Sequence, residues 1–237
     1  MPCWTQLCCP DPAGAADFYG RLFGWSLRDD TFWRDGLAVA GVAAGPPRWL
    51  PYVSSEDVAV TAAAVTAAGG TAGGQEVDPR GRGVVCADPA GAAFGVWQHG
   101  SIPGAQLVNE PGTVLWIDLV TSDLAAADDF YGGVFRWQRR EVDYGDGIEY
   151  YEWMSARRPV AGARLSVVMG PAVPSHWSTT MLVADCADAA RRAETLGGSA
   201  LLAPTPAPVG TYALLADPSG ATFGLLELTP EILAGIA

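Results

Sequence analysis

The stretch LWIDLVTSDLAAADDFYGGVFRW, residues 115–137, has a near-copy at residues 3–25, CWTQLCCPDPAGAADFYGRLFGW. Trp4, Asp11, Phe18, Tyr19, Phe23 and Trp25 match Trp116, Asp123, Phe130, Tyr131, Phe135 and Trp137, each 112 positions later. A second pair of landmarks lies nearer the end of each copy: ADPAGAAFGVWQ at 87–98 and ADPSGATFGLLE at 216–227. Internal repetition at this length signals one domain built twice in tandem. Between the copies, GSIPGAQLVNEPG (residues 100–112) is rich in Gly and Pro and reads as a connector.

Each copy opens on a short strand and then a helix. Asp11 and Asp123 sit where a carboxylate can accept the free amide hydrogens of a first helical turn, and Pro12 suits the first helical position. Ala15, Phe18, Tyr19, Leu22 and Phe23 then fall on one helical face, as do Ala127, Phe130, Tyr131, Val134 and Phe135. Such a stripe predicts core packing for the Phe-Tyr pair. In the second copy three strand-like runs follow, QRREVDY, IEYYEWMS and PVAGARLSVVM, parted by Gly145-Asp146-Gly147 and by Arg157-Arg158-Pro159. Another strand, HWSTTMLVA, and a helix from Asp185 to about Leu196 come next, closed by Gly197-Gly198. The unit is β-α-β-β-β, used twice per copy.

Composition narrows the function. A formal net charge of −12 argues against nucleic acid, whose phosphates need a basic face. All 14 cationic side chains are Arg, so a Lys Schiff base and a phosphate-loop Lys are both excluded. No apolar run approaches a membrane span, and MPCWTQ has no basic region followed by an apolar stretch. A cytoplasmic protein is expected. The five cysteines follow no paired spacing and read as reduced, mostly buried thiols.

The strand–Asp–FYxxxFxW block, the Gly-Gly after the second helix and ADPxGxxFG before the last strand resemble the vicinal oxygen chelate superfamily, which includes glyoxalase I, bleomycin-resistance proteins and extradiol dioxygenases. The tandem form is most similar to two-domain actinobacterial glyoxalase-like proteins. The resemblance implies an α+β fold: tandem domains of paired βαβββ modules whose curved sheets form cups around a small-molecule cavity. The expected organisation is an N-terminal domain over 1–100, a linker over 101–112, a C-terminal domain over 113–230 and a tail over 231–237. From Trp25 to Trp49 the first copy is 16 residues shorter than the second is from Trp137 to Trp177, about one hairpin. Pro51 also interrupts the strand that follows. The first cup is therefore expected to be shortened and degenerate, and the second to hold the working cavity.

The resemblance also implies a divalent ion held by His, Gln or Glu at set positions. In this chain the first-strand positions fall on Trp4, Leu50, Trp116 and Ser178, and the last-strand positions on Gly95 and Gly224. The remaining position, near Ala163 to Val168, offers no such side chain. Indole and Gly side chains bring no lone pair to a metal. Neither a metal nor another cofactor is expected.

Strand alternation then proposes a lining. Trp116, Ser178, Thr180, Thr222 and Gly224 are ligand-binding candidates, with Asp118 as the acid or base. The strand at 148–155 adds either Tyr151 and Trp153 or Tyr150 and Glu152; the pattern leaves both faces open, so Glu152 and Tyr151 stand as catalytic candidates beside Asp118, and Trp153 and Tyr150 as binding candidates. The nine Trp suit stacking on a planar ligand. The leading expectation is metal-independent binding of a small aromatic or polycyclic natural product, as in drug sequestration and self-resistance. The alternative is a metal-free lyase, isomerase or cyclase working through Asp118; a metal-dependent glyoxalase or dioxygenase ranks below both. No nucleic-acid or membrane partner is expected, and a homodimer is an open possibility.

Overall fold

A computed structural model describes residues 1–144, 149–166 and 173–236. The first repeat contains β1 (Pro2–Cys9), α1 (Pro12–Phe23), β2 (Ser26–Arg28), β3 (Thr31–Arg34) and β4 (Leu37–Ala44), then β5 (Arg48–Ser54), α2 (Val58–Ala67), β6 (Thr71–Asp78), β7 (Gly81–Ala87) and β8 (Ala93–His99). The second contains β9 (Val114–Thr121), α3 (Leu124–Phe135), β10 (Gln138–Glu141), β11 (Tyr150–Ser155) and β12 (Arg158–Leu165), then β13 (His176–Leu182), α4 (Cys186–Thr195), β14 (Ser199–Ala207), β15 (Gly210–Ala216) and β16 (Thr222–Leu228), with a last helix α5 (Pro230–Ile236). The βαβββ module thus occurs four times. The strands run β2-β3-β4-β1-β5-β8-β7-β6 in one mixed sheet and β10-β11-β12-β9-β13-β16-β15-β14 in the other. Neither sheet closes on itself, in keeping with cup-shaped curved sheets.

Local chemistry starts the helices where the sequence predicts. Asp11 accepts from the amides of Ala13 and Gly14, Asp123 from Ala126 and Asp185 from Asp188. At the end of α1, Gly24 takes the left-handed conformation at φ 77°. The matching residue after α3 is Arg136, held at φ 59°. The Gly145-Asp146-Gly147 turn, Ile148 and Val167-Val168 lie outside the described residues.

The shorter first repeat does not lack a hairpin. All of β2, β3 and β4 are present; β2 has only 3 residues and β3 only 4. Nor does Pro51 break β5, which runs from Arg48 to Ser54. The parallel pairing of β5 with β8 spans Tyr52 to Ser54, after the proline, so the missing amide is not needed there.

Compactness divides the chain across the repeats. One unit comprises Met1–Cys3, Pro51–Gly104 and Ile117–Trp177; the other comprises Trp4–Leu50, Ala105–Trp116 and Ser178–Ala237. In the first unit a single core gathers Val65, Phe94 and Val96 with Phe130, Tyr131, Trp137, Tyr151, Trp153 and Trp177. In the second unit the core gathers Phe18, Tyr19, Phe23, Trp25 and Trp49 with Met181, Phe223 and Leu225. The Phe-Tyr pair of each long helix packs in these cores. From Ala105 onward the connector belongs to the second unit: Gln106 exchanges hydrogen bonds with the backbone of Ala38, and Trp25 donates to the carbonyl of Gly112 at 2.8 Å.

Each core is organised around a buried tyrosine. In the first unit Trp177 Nε1 donates to Tyr131 Oη at 3.0 Å, and Tyr131 donates to Asp88 Oδ2 at 3.1 Å. In the second, Trp49 Nε1 donates to Tyr19 Oη at 3.0 Å, and Tyr19 donates to Asp217 Oδ2 at 3.0 Å. The D-P-x-G turns use the other oxygen: Asp88 Oδ1 accepts from Ala90 and Ala92, and Asp217 Oδ1 from Ser219 and Ala221. Every polar atom of the relay is therefore satisfied where no solvent reaches it.

Candidate functional site

The phase of β11 separates two chemistries. Tyr151 and Trp153 have no exposed surface and point into the core beneath α3. Tyr151 donates to the carbonyl of Leu124 at 2.9 Å, and Trp153 donates to Asp128 Oδ1 at 3.0 Å. Burial pushes the Tyr151 phenol well up, and the Arg139 guanidinium lies 4.7 Å over its ring. Both residues leave the set of candidates, because burying two large aromatic faces against α3 outweighs exposing them. Tyr150 and Glu152 take the opposite face.

That face carries a connected polar group. Tyr150 Oη donates to Asp118 Oδ1 at 3.0 Å, and both side chains are half-buried. Gly162 makes the contact possible. It stands opposite Asp118 in the parallel pair β9–β12 and opposite Glu152 in the antiparallel pair β11–β12. A Cβ at Gly162 would overlap both Tyr150 Oη and Asp118 Oδ1. Glu152, whose side chain is 13% exposed, pairs with Arg140 across β10–β11. Arg164 sits opposite Tyr150 in register. Ala161 and Ala163 point into the core, so alternation turns Gly162 and Arg164 toward Asp118's face.

The other candidates lie in the second unit. Trp116 is half-buried on β9. Ser178 and Thr180 are buried on β13, while Thr222 is exposed at the start of β16. Thr180 stands opposite Gly224, and a Cβ at Gly224 would meet Thr180 Oγ1 at 2.7 Å and the Tyr212 ring at 2.8 Å. Tyr212 therefore occupies the space that Gly224 leaves.

The same register repeats in every module. Gln6 stands opposite Gly41, Tyr52 opposite Gly95, Asp118 opposite Gly162 and Thr180 opposite Gly224. A larger side chain covers each glycine: a Cβ at Gly41 would lie 2.8 Å from Trp4 Nε1, and one at Gly95 would overlap the Tyr52 ring. The last-strand positions that the resemblance assigns to a metal ligand thus hold Gly95 and Gly224, with Trp4, Leu50, Trp116 and Ser178 at the first-strand positions. That donor set does not fit a divalent ion, which needs several converging lone pairs. Among the described residues no group of three or more His, Cys, Asp or Glu could hold one. His176 contacts the Pro174 carbonyl at 2.9 Å, and His99 is exposed at the end of β8.

Three of the five thiols are poor nucleophiles. Burial raises Cys3 to about 12 and both Cys86 and Cys186 to about 11, so they remain protonated at neutral pH.

Sequence reasoning missed Gly162, Tyr212, Arg140 and Arg164. Gly162 had a signal: it lies 62 residues before Gly224, the same distance that separates Trp116 from Ser178. Arg164 was visible as a charge within the otherwise small and apolar AGARL.

The fold and the repeated register define a tandem glyoxalase-like protein. The chain belongs to the glyoxalase/bleomycin resistance protein/dioxygenase superfamily: residues 4–97 match a glyoxalase-like domain family, and residues 113–225 match the superfamily itself. It is 37% identical over 257 aligned residues to the anthracycline biosynthesis protein DnrV of Streptomyces peucetius, covering 96% of this chain and 93% of that protein. It is 36% identical to the anthracycline biosynthesis protein DauV of Streptomyces sp. strain C5, with the same coverage of both. A Mn(II)-bound glyoxalase from Novosphingobium aromaticivorans shares the fold, with a TM-score of 0.65 at 16% identity over 95% of this chain and 81% of that one.

Proposed function

We propose that this chain binds a polycyclic aromatic natural product without a metal ion, on the face of β9–β12 that carries Asp118 and Tyr150. The observation that carries the reading is the glycine register. At the last-strand positions where the family resemblance implies metal ligands the chain has Gly95 and Gly224, the same register places Gly41 and Gly162 in the other two modules, and aromatic or hydrogen-bonded side chains cover all four. The two relatives named for anthracycline biosynthesis, each matching 96% of the chain, support a fused-ring aromatic ligand. Binding of this kind would serve sequestration of a toxic product or its delivery to another enzyme.

The test is titration of an anthraquinone into protein stripped with EDTA, with metal content measured on the same sample. Micromolar binding in metal-free protein is expected. Binding that vanishes on stripping and returns with manganese or zinc would overturn the reading.

A second reading rests on the Tyr150–Asp118 hydrogen bond. A half-buried carboxylate held by a phenol can take a proton from a bound ketone or phenol and return it elsewhere, which is lyase, isomerase or cyclase chemistry. Asp118→Asn should then abolish turnover and leave binding nearly intact; retained turnover would remove Asp118 from the chemistry.

A further inference from the structure

The face that carries Asp118 also carries a cation whose bonding is incomplete. The Nε–H of Arg164 is shielded from solvent and has no hydrogen-bond partner among the described residues. Its neighbours on that face are already engaged. Arg140 is neutralised by Glu152, and Asp118 accepts from Tyr150. No ion pair to Arg164 occurs among the described residues.

An unsatisfied buried donor costs stability, more so on a charged group, and folded proteins rarely retain one without a use for it. Arg164 lies directly opposite Tyr150, so a ligand reaching the Tyr150–Asp118 pair passes within reach of the guanidinium. A guanidinium is permanently charged and planar, and it favours oxygen anions that can accept two parallel hydrogen bonds. Ala161 and Ala163 take the core side of β12, so alternation keeps Arg164 out of the core.

We propose that Arg164 anchors the ligand by an anionic oxygen, a carboxylate or ionised phenol, which pairs with its guanidinium. This rests on the binding function proposed above and adds the charge of the ligand to it. The acceptor comes from the ligand, and the aromatic body of the ligand then lies along Tyr150.

Two anthraquinones separate the terms: anthraquinone-2-carboxylate and the neutral 2-hydroxymethyl analogue. The wild-type chain should bind the carboxylate about tenfold or more tightly than the neutral compound, the size expected of one charge-assisted bond. Arg164→Gln should lose that preference while holding the neutral compound within about twofold of wild type. Arg164→Lys keeps the charge without the planar fork, and should lose most of the preference too. In thermal unfolding without ligand, Arg164→Met should be at least as stable as wild type, since no buried donor is left unpaired. Equal binding of both compounds by wild type, or a preference that survives in Arg164→Gln, overturns the anchor and leaves the aromatic-binding function standing. Failure of wild type to bind either compound overturns both. An Arg164→Met variant that unfolds well below wild type overturns the anchor in favour of a structural role.

Discussion

Tyr19 and Asp217 lie 198 residues apart in the chain, and the tyrosine hydroxyl donates to the aspartate at 3.0 Å inside a dry core. Tyr131 and Asp88 repeat the arrangement with the repeats exchanged. Each carboxylate belongs to a D-P-x-G turn and each phenol to a long helix, so each bond ties one repeat to the other within a compact unit. Tyr131→Phe should cost about 2 kcal/mol, because it strands the Asp88 oxygen and leaves the Trp177 indole N–H without its acceptor. Tyr19→Phe should cost a similar amount. Urea unfolding monitored by tryptophan fluorescence measures both; a loss under about 0.5 kcal/mol in either would mean the relay is not needed.

Burial raises the Asp88 carboxyl from its ordinary value near 3.8, opposed by hydrogen bonds from Ala92, Tyr131 and Ala90. The sign follows from proton counting. Above pH 3.8 the folded state still holds a proton at Asp88 that the unfolded chain has released. The stability Asp88 contributes is therefore complete below that pH and falls as pH rises through the folded value. Asp88→Asn, which cannot titrate, should lose this decline. Unfolding free energies of the two proteins between pH 4 and 7 should diverge in the variant's favour as pH rises; parallel curves would contradict it.

Arg136 occupies the left-handed conformation after α3, at φ 59°, where the first repeat has Gly24 at φ 77°. A side chain strains that backbone, so Arg136→Gly should stabilise by about 1 kcal/mol. A rise in urea midpoint with unchanged slope is the expected result.

Gly162→Ala should do the reverse at the site. The new methyl would overlap Tyr150 and Asp118 and part their hydrogen bond. We expect a loss of about 1–3 kcal/mol in stability and of ligand binding together. Gly133→Ala is the control: it lies within α3 and an added Cβ meets nothing within 4 Å, so it should stabilise by about 0.5–1 kcal/mol and leave binding unchanged.

Much of this was readable in one dimension because it is local. The 112-residue repeat, the capping aspartates Asp11 and Asp123, the helical stripe through Phe18 and Tyr19 and the D-P-x-G turns depend on neighbours within a few positions. The four βαβββ modules follow from them. The missing hairpin inferred from the first repeat was an error of a different kind. A shorter sequence does not mean fewer strands: β2 is complete with 3 residues and β3 with 4.

What the chain alone determined is therefore its modules and their order, since short-range hydrogen bonding and helical period decide those. What tertiary structure decided is phase and partnership. Alternation states that Tyr150 and Tyr151 point apart, but only the fit of Tyr151 and Trp153 beneath α3 chooses which of them faces Asp118. Likewise nothing near Tyr19 in sequence selects Asp217. That choice is made when Phe18, Tyr19 and Phe223 are buried together, and burial is a property of surfaces that meet only after the chain has folded.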